Sequence, residues 1–257
     1  MQIYPAIDLL EGKCVRLFKG DFDQSTEYSA DPIAVAAEFR EQGAQTLHLV
    51  DLSGAKNPDN RQTALIETII RETDMTVQCG GGVRTAADVQ ALLNAGVERV
   101  VIGSLAVKSP KLTKDIISKY GNDHICVAID VTPDEKYGYA VATSGWQIRS
   151  SKSLEDIISR YRADGLKHVL CTDISRDGTL EGPNTDLYKA IQNIDSDLII
   201  QASGGVGSLA DLKALSDIGV DAAITGKAIY EDCFTVAEAI ELAQKDTPLL
   251  QTAGSQQ

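Results

Sequence analysis

Short runs of apolar, β-branched residues alternate along this chain with segments of helical period. The runs predict strands at Ile3–Asp8, Thr46–Asp51, Thr76–Cys79, Arg99–Ile102, Ile125–Asp130, His168–Thr172, Leu198–Gln201 and Ala222–Thr225. Most are apolar on both faces, which fits a parallel sheet covered by helices rather than an antiparallel sheet with one wet face. The helical segments between them have readable starts. Asp31-Pro32 pairs an N-cap with a proline at the first helical position. An apolar stripe of Ile33, Ala36, Ala37 and Phe39 follows, and Gly43 closes it. Thr85 opens a similar helix with Val89, Leu92 and Leu93 turned inward and Gly96 as its stop, and Ser109-Pro110, Ser153 and Ser208 read as further caps. Eight strand–helix pairs in about 250 residues make an α/β chain of the (β/α)8, or TIM barrel, pattern. An open doubly wound sheet is the alternative, but no GxGxxG follows the first strand.

An internal repeat strengthens the barrel reading. Residues 77–106 align without gaps onto 200–229, an offset of 123, and eleven of the thirty positions are identical. The identities include Gly81/Gly204, Gly82/Gly205, Asp88/Asp211, Gly96/Gly219 and Gly103/Gly226. Upstream the offset is 122: Gly43 meets Gly165, Asp51 meets Asp173, Ser53 meets Ser175, and Ala6-Ile7-Asp8 meets Ala128-Ile129-Asp130. Two half-barrels, about 1–122 and 123–245, are therefore expected to close one domain around a pseudo-two-fold axis. Residues 246–257 are small and polar beyond Leu250 and are expected to form a disordered tail.

Composition narrows the function classes. The 257 residues carry 24 Lys+Arg against 37 Asp+Glu, a net charge of −13, with 43% hydrophobic and only 5% aromatic residues. The core must be aliphatic, and the acidic balance argues against a nucleic-acid partner, which calls for a basic face. An anionic substrate would have to be held by local features against that field. No apolar run is long enough to span a membrane, and the opening MQIYPAIDLLEGK places an acid where a signal peptide is apolar. Five cysteines, Cys14, Cys79, Cys126, Cys171 and Cys233, form no CxxC pair and are expected to be reduced. The expectation is a cytoplasmic chain with no membrane partner.

In a (β/α)8 barrel the active site lies at the C-terminal ends of the strands. That rule selects two sets of glycine turns. Gly81-Gly82 with Gly103-Ser104 forms one, and Gly204-Gly205 with Gly226-Lys227 forms its repeat partner. Such turns leave backbone N–H groups open to an anion. Each alone reads equally as a tight turn. As a symmetric pair they imply a small-molecule substrate with a phosphate at each end, laid across the mouth. Lys227 either reaches a phosphate with its side chain or offers only its N–H.

The acid–base candidates are the repeat-related Asp8 and Asp130, at the ends of opposed strands. One protonates while the other abstracts, as an aldose–ketose rearrangement requires. Asp177, in the polar Ser175-Arg176-Asp177-Gly178-Thr179 loop, reads as a substrate ligand, as the acid in place of Asp130, or as a turn cap. Asp51 reads as structural, a partner for Lys56 or Arg61. His48, His124 and His168 fall mid-strand or at strand starts and read as structural. Trp146, the one tryptophan, sits in a polar loop and reads either as a stacking surface for a heterocycle or as a loop anchor. No His/Cys/acid spacing suggests a metal, and no cofactor is expected.

These stretches together resemble a known family. Pro5-Ala6-Ile7-Asp8-Leu9, Val15-Arg16-Leu17, Gly20-Asp21-Phe22, His48 through Ala55, Gly80-Gly81-Gly82-Val83-Arg84 and Thr172 through Thr179 closely resemble the phosphoribosylformimino-aminoimidazole carboxamide ribotide (ProFAR) isomerases of histidine biosynthesis, from residue 1 to about 245. The resemblance implies a cofactor-free Amadori rearrangement of a bisphosphorylated aminoaldose to its aminoketose. It places the base role on Asp8 and the acid role on Asp130, and substrate binding on Asp177, Thr172, Trp146 and Arg16. It implies no obligatory protein partner and a monomer. The cyclase subunit of imidazole glycerol phosphate synthase shares the half-barrel repeat, but its first-strand loop carries Lys-Asp-Gly-Arg-Val-Val-Lys-Gly where this chain has Leu10 through Leu17. A phosphosugar-binding barrel without catalysis is the remaining alternative. The long segments Gly12–Ala30 and Thr132–Ser151 are read as glycine-containing loops that could close over substrate.

Overall fold

The computed structural model describes residues 1–18, 20–143 and 145–245, so the tail expectation for 246–257 lies outside the described residues. Among the described residues twelve strands join in one sheet. They are β1 (Gln2–Leu10), β2 (Lys13–Phe18), β3 (Asp21–Ser29), β4 (Thr46–Asp51), β5 (Thr76–Gly80), β6 (Arg99–Ile102), β7 (Ile125–Asp134), β8 (Gly138–Thr143), β9 (Ile148–Ser153), β10 (His168–Asp173), β11 (Ile199–Ser203) and β12 (Ala222–Thr225). Eight of them, β1, β4, β5, β6, β7, β10, β11 and β12, pair in parallel, and β12 returns to β1 so that the barrel closes. The chain is a (β/α)8 barrel, with all eight expected strands within a few residues of their predicted bounds.

The other four strands correct the sequence reading. Gly12–Ala30 and Thr132–Ser151 are largely ordered β-hairpins rather than loops. The first, β2–β3, runs antiparallel from the end of β1, and the second, β8–β9, from the end of β7. The outer strand of the second hairpin, β9, is polar and intermediate or exposed along its whole length, whereas β8 buries the consecutive Ala140, Val141 and Ala142 and β2 buries Cys14 and Val15, so neither hairpin shows a simple apolar alternation. Strand β3 is intermediate or exposed along its whole length.

The shell is built from α1 (Pro32–Glu41), α2 (Leu52–Lys56), α3 (Thr63–Thr73), α4 (Ala86–Asn94), α5 (Ser104–Lys108), α6 (Pro110–Tyr120), α7 (Leu154–Arg162), α8 (Thr185–Ile194), α9 (Leu209–Asp217), α10 (Lys227–Tyr230) and α11 (Val236–Lys245). Most predicted caps form. Asp31 accepts from the N–H groups of Ile33 and Ala34, and Thr85 with Asp88 and Ser153 with Asp156 make reciprocal capping boxes. Each such cap stabilises its helix by about 1 kcal/mol. Ser208 accepts from the Asp211 N–H. Ser109 precedes α6 but caps it with no side-chain bond, leaving Pro110 as the start signal. Among the described residues no helix is long and apolar enough to cross a membrane.

The main apolar core lies between strands and helices, where Ile7, Leu9, Leu47, Leu49 and Ile66 are completely buried. Burying each such side chain contributes roughly 1.5–3 kcal/mol. A smaller apolar cluster of Tyr4, Ala6, Val101, Cys126, Leu170 and Ile224 fills part of the barrel interior. Along β1 the two sets alternate, Tyr4 and Ala6 in one and Ile3, Ile7 and Leu9 in the other, as the two-residue strand period requires.

Candidate active site

The C-terminal rim of the barrel gathers the chemistry. Asp8 lies near the end of β1, opposite Val15 of the first hairpin, and Asp130 lies in β7, opposite Ala142 of the second. Each carboxyl thus sits where a barrel strand becomes hairpin, half-walled by the strand that folds back. The repeat predicted this equivalence of position, but the structure gives the two acids different neighbours.

Asp8 belongs to a three-membered ion network. Arg16, reaching in from β2, places Nη1 3.4 Å from Asp8 Oδ2 and pairs through Nη2 with Asp177 Oδ2. The Asp8 and Asp177 side chains are only 13% and 11% exposed, so a single guanidinium is shared by two carboxyl groups that water reaches poorly. Burial pushes the Asp8 carboxyl up from its ordinary value, Arg16 opposes that shift, and the Asp177 charge reinforces it.

Among the described residues no cation pairs with Asp130. Its Oδ2 accepts the indole N–H of Trp146 at 2.9 Å, and the Thr172 hydroxyl, level with it on β10, also hydrogen-bonds to it. Burial raises this carboxyl, the two neutral hydrogen bonds pull it partly back, and the charge of Asp177 raises it again. A carboxyl held only by neutral donors keeps its proton more readily than one held by a guanidinium. Trp146 adopts a φ of +71°, unusual for a side-chain-bearing residue, at the tip of the second hairpin. A Cβ at Gly20 would stand 3.1 Å from the Gly145 carbonyl oxygen and 3.6 Å from the Trp146 ring, so the two hairpin tips meet. Trp146 therefore anchors its loop to the acid in this conformation.

The loop that carries Asp177 is organised by Asp173, which is 1% exposed. Its Oδ1 accepts from the Ser175 N–H and hydroxyl, and its Oδ2 from the Asn184 amide. Asp51, its repeat partner, does the same for the first half: it is fully buried and accepts from the Gly54 and Gln62 N–H groups. Asp51 is structural, with Arg61 3.9 Å away, while the Lys56 ammonium lies over the Phe22 ring instead.

The glycine turns divide into two kinds. A Cβ at Gly82 would come within 2.2 Å of the Gly54 carbonyl oxygen, and one at Gly205 within 2.3 Å of the Gly182 carbonyl oxygen, both at positive φ. Gly81 and Gly204 are also crowded by the neighbouring Asp51 and Asp173 backbones. Packing and conformation alone demand glycine there. At Gly103 and Gly226 a Cβ would meet nothing nearer than 3.9 Å and 3.7 Å, and φ is negative. The space in front of them is open, as an anion in contact with the backbone would need. Gly103 and Gly226 immediately precede the short helices α5 and α10, which begin at Ser104 and Lys227.

Several contacts escaped sequence reading because they join distant segments. Arg61 donates to the carbonyls of Gly81 and Gly82, bracing that turn from behind. The Lys227 Nζ donates to the Gly178 carbonyl at 2.7 Å, so its side chain is engaged with the Asp177 loop. Burial lowers His48 and His168 to about 4, so both are neutral near pH 7.

Comparison with known proteins agrees with this geometry. The family model described as histidine biosynthesis protein matches residues 2–235. A protein of Actinobacillus succinogenes is 52% identical over 242 residues, 94% of this chain and 97% of its own. One of Shewanella piezotolerans is 50% identical over 238 residues, 93% and 97% of the two chains, and one of an Enterobacter strain is 49% identical over 242 residues, 94% and 99%. All three are described as isomerases of 1-(5-phosphoribosyl)-5-((5-phosphoribosylamino)methylideneamino) imidazole-4-carboxamide. With the family model covering nearly the whole barrel and half of the residues shared with these relatives, the chain belongs to the histidine biosynthesis protein family.

Proposed function

We propose that this chain is a ProFAR isomerase, converting the bisphosphorylated aminoaldose to its aminoketose by aspartate acid–base catalysis in the cytoplasm. The observation that carries the mechanism is the pair Asp8 and Asp130, equivalent in the repeat but unequal in environment. Asp130, held by neutral donors, gives its proton to the ring oxygen as the C1–O bond of the aminoaldose breaks. The open-chain imine that results has an acidic C2 proton. Asp8, whose carboxylate form Arg16 stabilises against the effect of burial, removes that proton, and the enaminol formed tautomerises to the ketose. Every atom of the substrate is retained, so the reaction draws on no cofactor and no second substrate. Asp177 is the weaker candidate for the acid, because its carboxyl oxygen is already engaged by the Arg16 guanidinium.

The two glycine turns support the choice of a substrate with two phosphates. Gly81-Gly82 with Gly103-Ser104 takes one end, and Gly204-Gly205 with Gly226-Lys227 the other, through backbone N–H groups that carry no net charge. This reading needs no protein partner, and a monomer suffices for it. The test is to give the purified chain ProFAR, with no metal, nucleotide or other protein added, and to follow ketose formation. Turnover supports the proposal, and tight binding without turnover sinks it in favour of a cyclase-like or purely binding barrel.

A further inference from the structure

The barrel is symmetric, but its substrate reacts at one sugar only. Something must break the symmetry and tell the reacting groups that the substrate is seated. The two phosphate turns differ in one such respect. Position 227 corresponds in the repeat to Ser104, whose short side chain has no ammonium to extend. Lys227 instead spans to the Asp177 loop and donates from Nζ to the Gly178 carbonyl. That carbonyl belongs to the residue immediately after Asp177, which pairs with Arg16, which in turn reaches Asp8.

The rest of the turn presses on the same loop. A Cβ at Gly204 would be 3.5 Å from the Asp177 Cα, and one at Gly226 would be 4.0 Å from Arg16 Nη1. In the first half, the corresponding glycines meet Asp51 backbone and the Ala128 Cβ, neither of them part of the ion network. Among the described residues, it is the second turn whose glycines stand next to Asp177 and Arg16.

We propose that Lys227 is a positioning residue that couples occupancy of the Gly204-Gly205/Gly226 turn by a phosphate to the placement of Asp177 and, through Arg16, of Asp8. An ammonium has three N–H donors. One holds the Gly178 carbonyl, and a phosphate oxygen at the turn takes another. The bound phosphate fixes the lysine, the lysine fixes the loop, and the loop holds Asp177 against Arg16. A phosphate that does not itself react thereby raises the rate rather than only the affinity, which is how binding energy away from the reacting atoms reaches them. This inference rests on the isomerase reading and deepens it.

The test compares kcat and KM of the wild-type chain, Lys227→Met and Lys227→Arg with ProFAR, alongside thermal melting and affinity for inorganic phosphate. Coupling predicts a kcat loss in Lys227→Met on the order of 10- to 100-fold, the size expected for a misplaced catalytic group. It also predicts a smaller rise in KM, and recovery of most of kcat in Lys227→Arg, whose guanidinium donates to both partners. If Lys227→Met raises KM and weakens phosphate binding with kcat unchanged, the lysine is a phosphate ligand only and the coupling is wrong. The coupling is equally wrong if neither constant moves. A lowered melting temperature with a kcat loss that arginine does not recover would mark a structural prop and overturn it too. Failure of the wild-type chain to turn over ProFAR would instead strike the isomerase reading itself.

Discussion

Gln78 and Gln201 touch inside the barrel. The Nε2 of Gln78 donates to the Oε1 of Gln201 at 2.6 Å, and both residues are completely buried. They stand 123 positions apart, the offset of the internal repeat, so two equivalent residues meet where the pseudo-two-fold axis passes. Gln78 Nε2 also lies 2.9 Å from His48 Nδ1. Replacing Gln201 alone with Leu strips a buried donor of one partner and should cost about 1–3 kcal/mol. The double change of Gln78 and Gln201 to Leu should cost clearly less than the two single losses together, because the stranded partner disappears with the bond. Urea unfolding of the three variants checks this, and strict additivity would mean the contact carries no energy of its own.

The catalytic assignment predicts loss of rate without loss of binding. Asp8→Asn and Asp130→Asn should each lower kcat by roughly 10²–10⁴-fold, the usual contribution of a positioned acid or base. Binding of the bisphosphate should survive, since the phosphate turns are backbone. Steady-state kinetics with ProFAR and calorimetry on the variants separate the two effects.

Trp146→Phe gives a signed pH effect. The indole N–H stabilises the ionised form of Asp130, so its loss should raise that carboxyl further above its ordinary value. The acid then keeps its proton to higher pH, and the alkaline limb of the kcat/KM profile should move up. The acidic limb, set by Asp8, should stay in place. A shift of the alkaline limb to lower pH would contradict the assignment of Asp130 as acid.

His168 predicts acid lability. It is buried, neither ring nitrogen has a hydrogen-bond partner, and its value is lowered to about 4 against 6.5 when exposed. The unfolded chain therefore binds the proton first, and stability falls as pH drops below 6.5 towards 4. Between pH 7 and pH 5 this one group should remove about 2 kcal/mol. His168→Leu should flatten that part of the stability–pH curve by a similar amount, measured as the urea midpoint at the two pH values.

The glycines should separate folding from binding. Gly205→Ala forces a Cβ to within 2.3 Å of a carbonyl oxygen at positive φ, so it should cost several kcal/mol of stability. Gly226→Ala meets no such clash. It should fold normally and show a raised KM for ProFAR, because its methyl group fills the space in front of the phosphate turn. Melting curves and KM for the two variants distinguish the cases.

Much of this was written locally in the chain. The eight barrel strands announce themselves as short aliphatic runs, and Asp31, Thr85, Ser153 and Ser208 mark helix starts, because burial of both strand faces and capping are short-range demands. The repeat extended that legibility to the site: it paired Asp8 with Asp130 and each glycine turn with its partner, and the barrel topology put all of them on one rim. The sequence determined which residues are equivalent. Tertiary structure decided how they differ. Arg16 reaches Asp177 across 161 positions, Trp146 turns its N–H onto Asp130, and Lys227 grips Gly178 across 49. None of these pairs has a local periodicity, since each is made by a hairpin or loop folding over the rim. The two hairpins themselves were hidden because their outer strands β3 and β9 are polar and not buried while β8 is buried at consecutive positions, so no alternating pattern marks them. Symmetry was legible because it is inherited along the chain, and its breaking was not, because it exists only in the contacts of the folded rim.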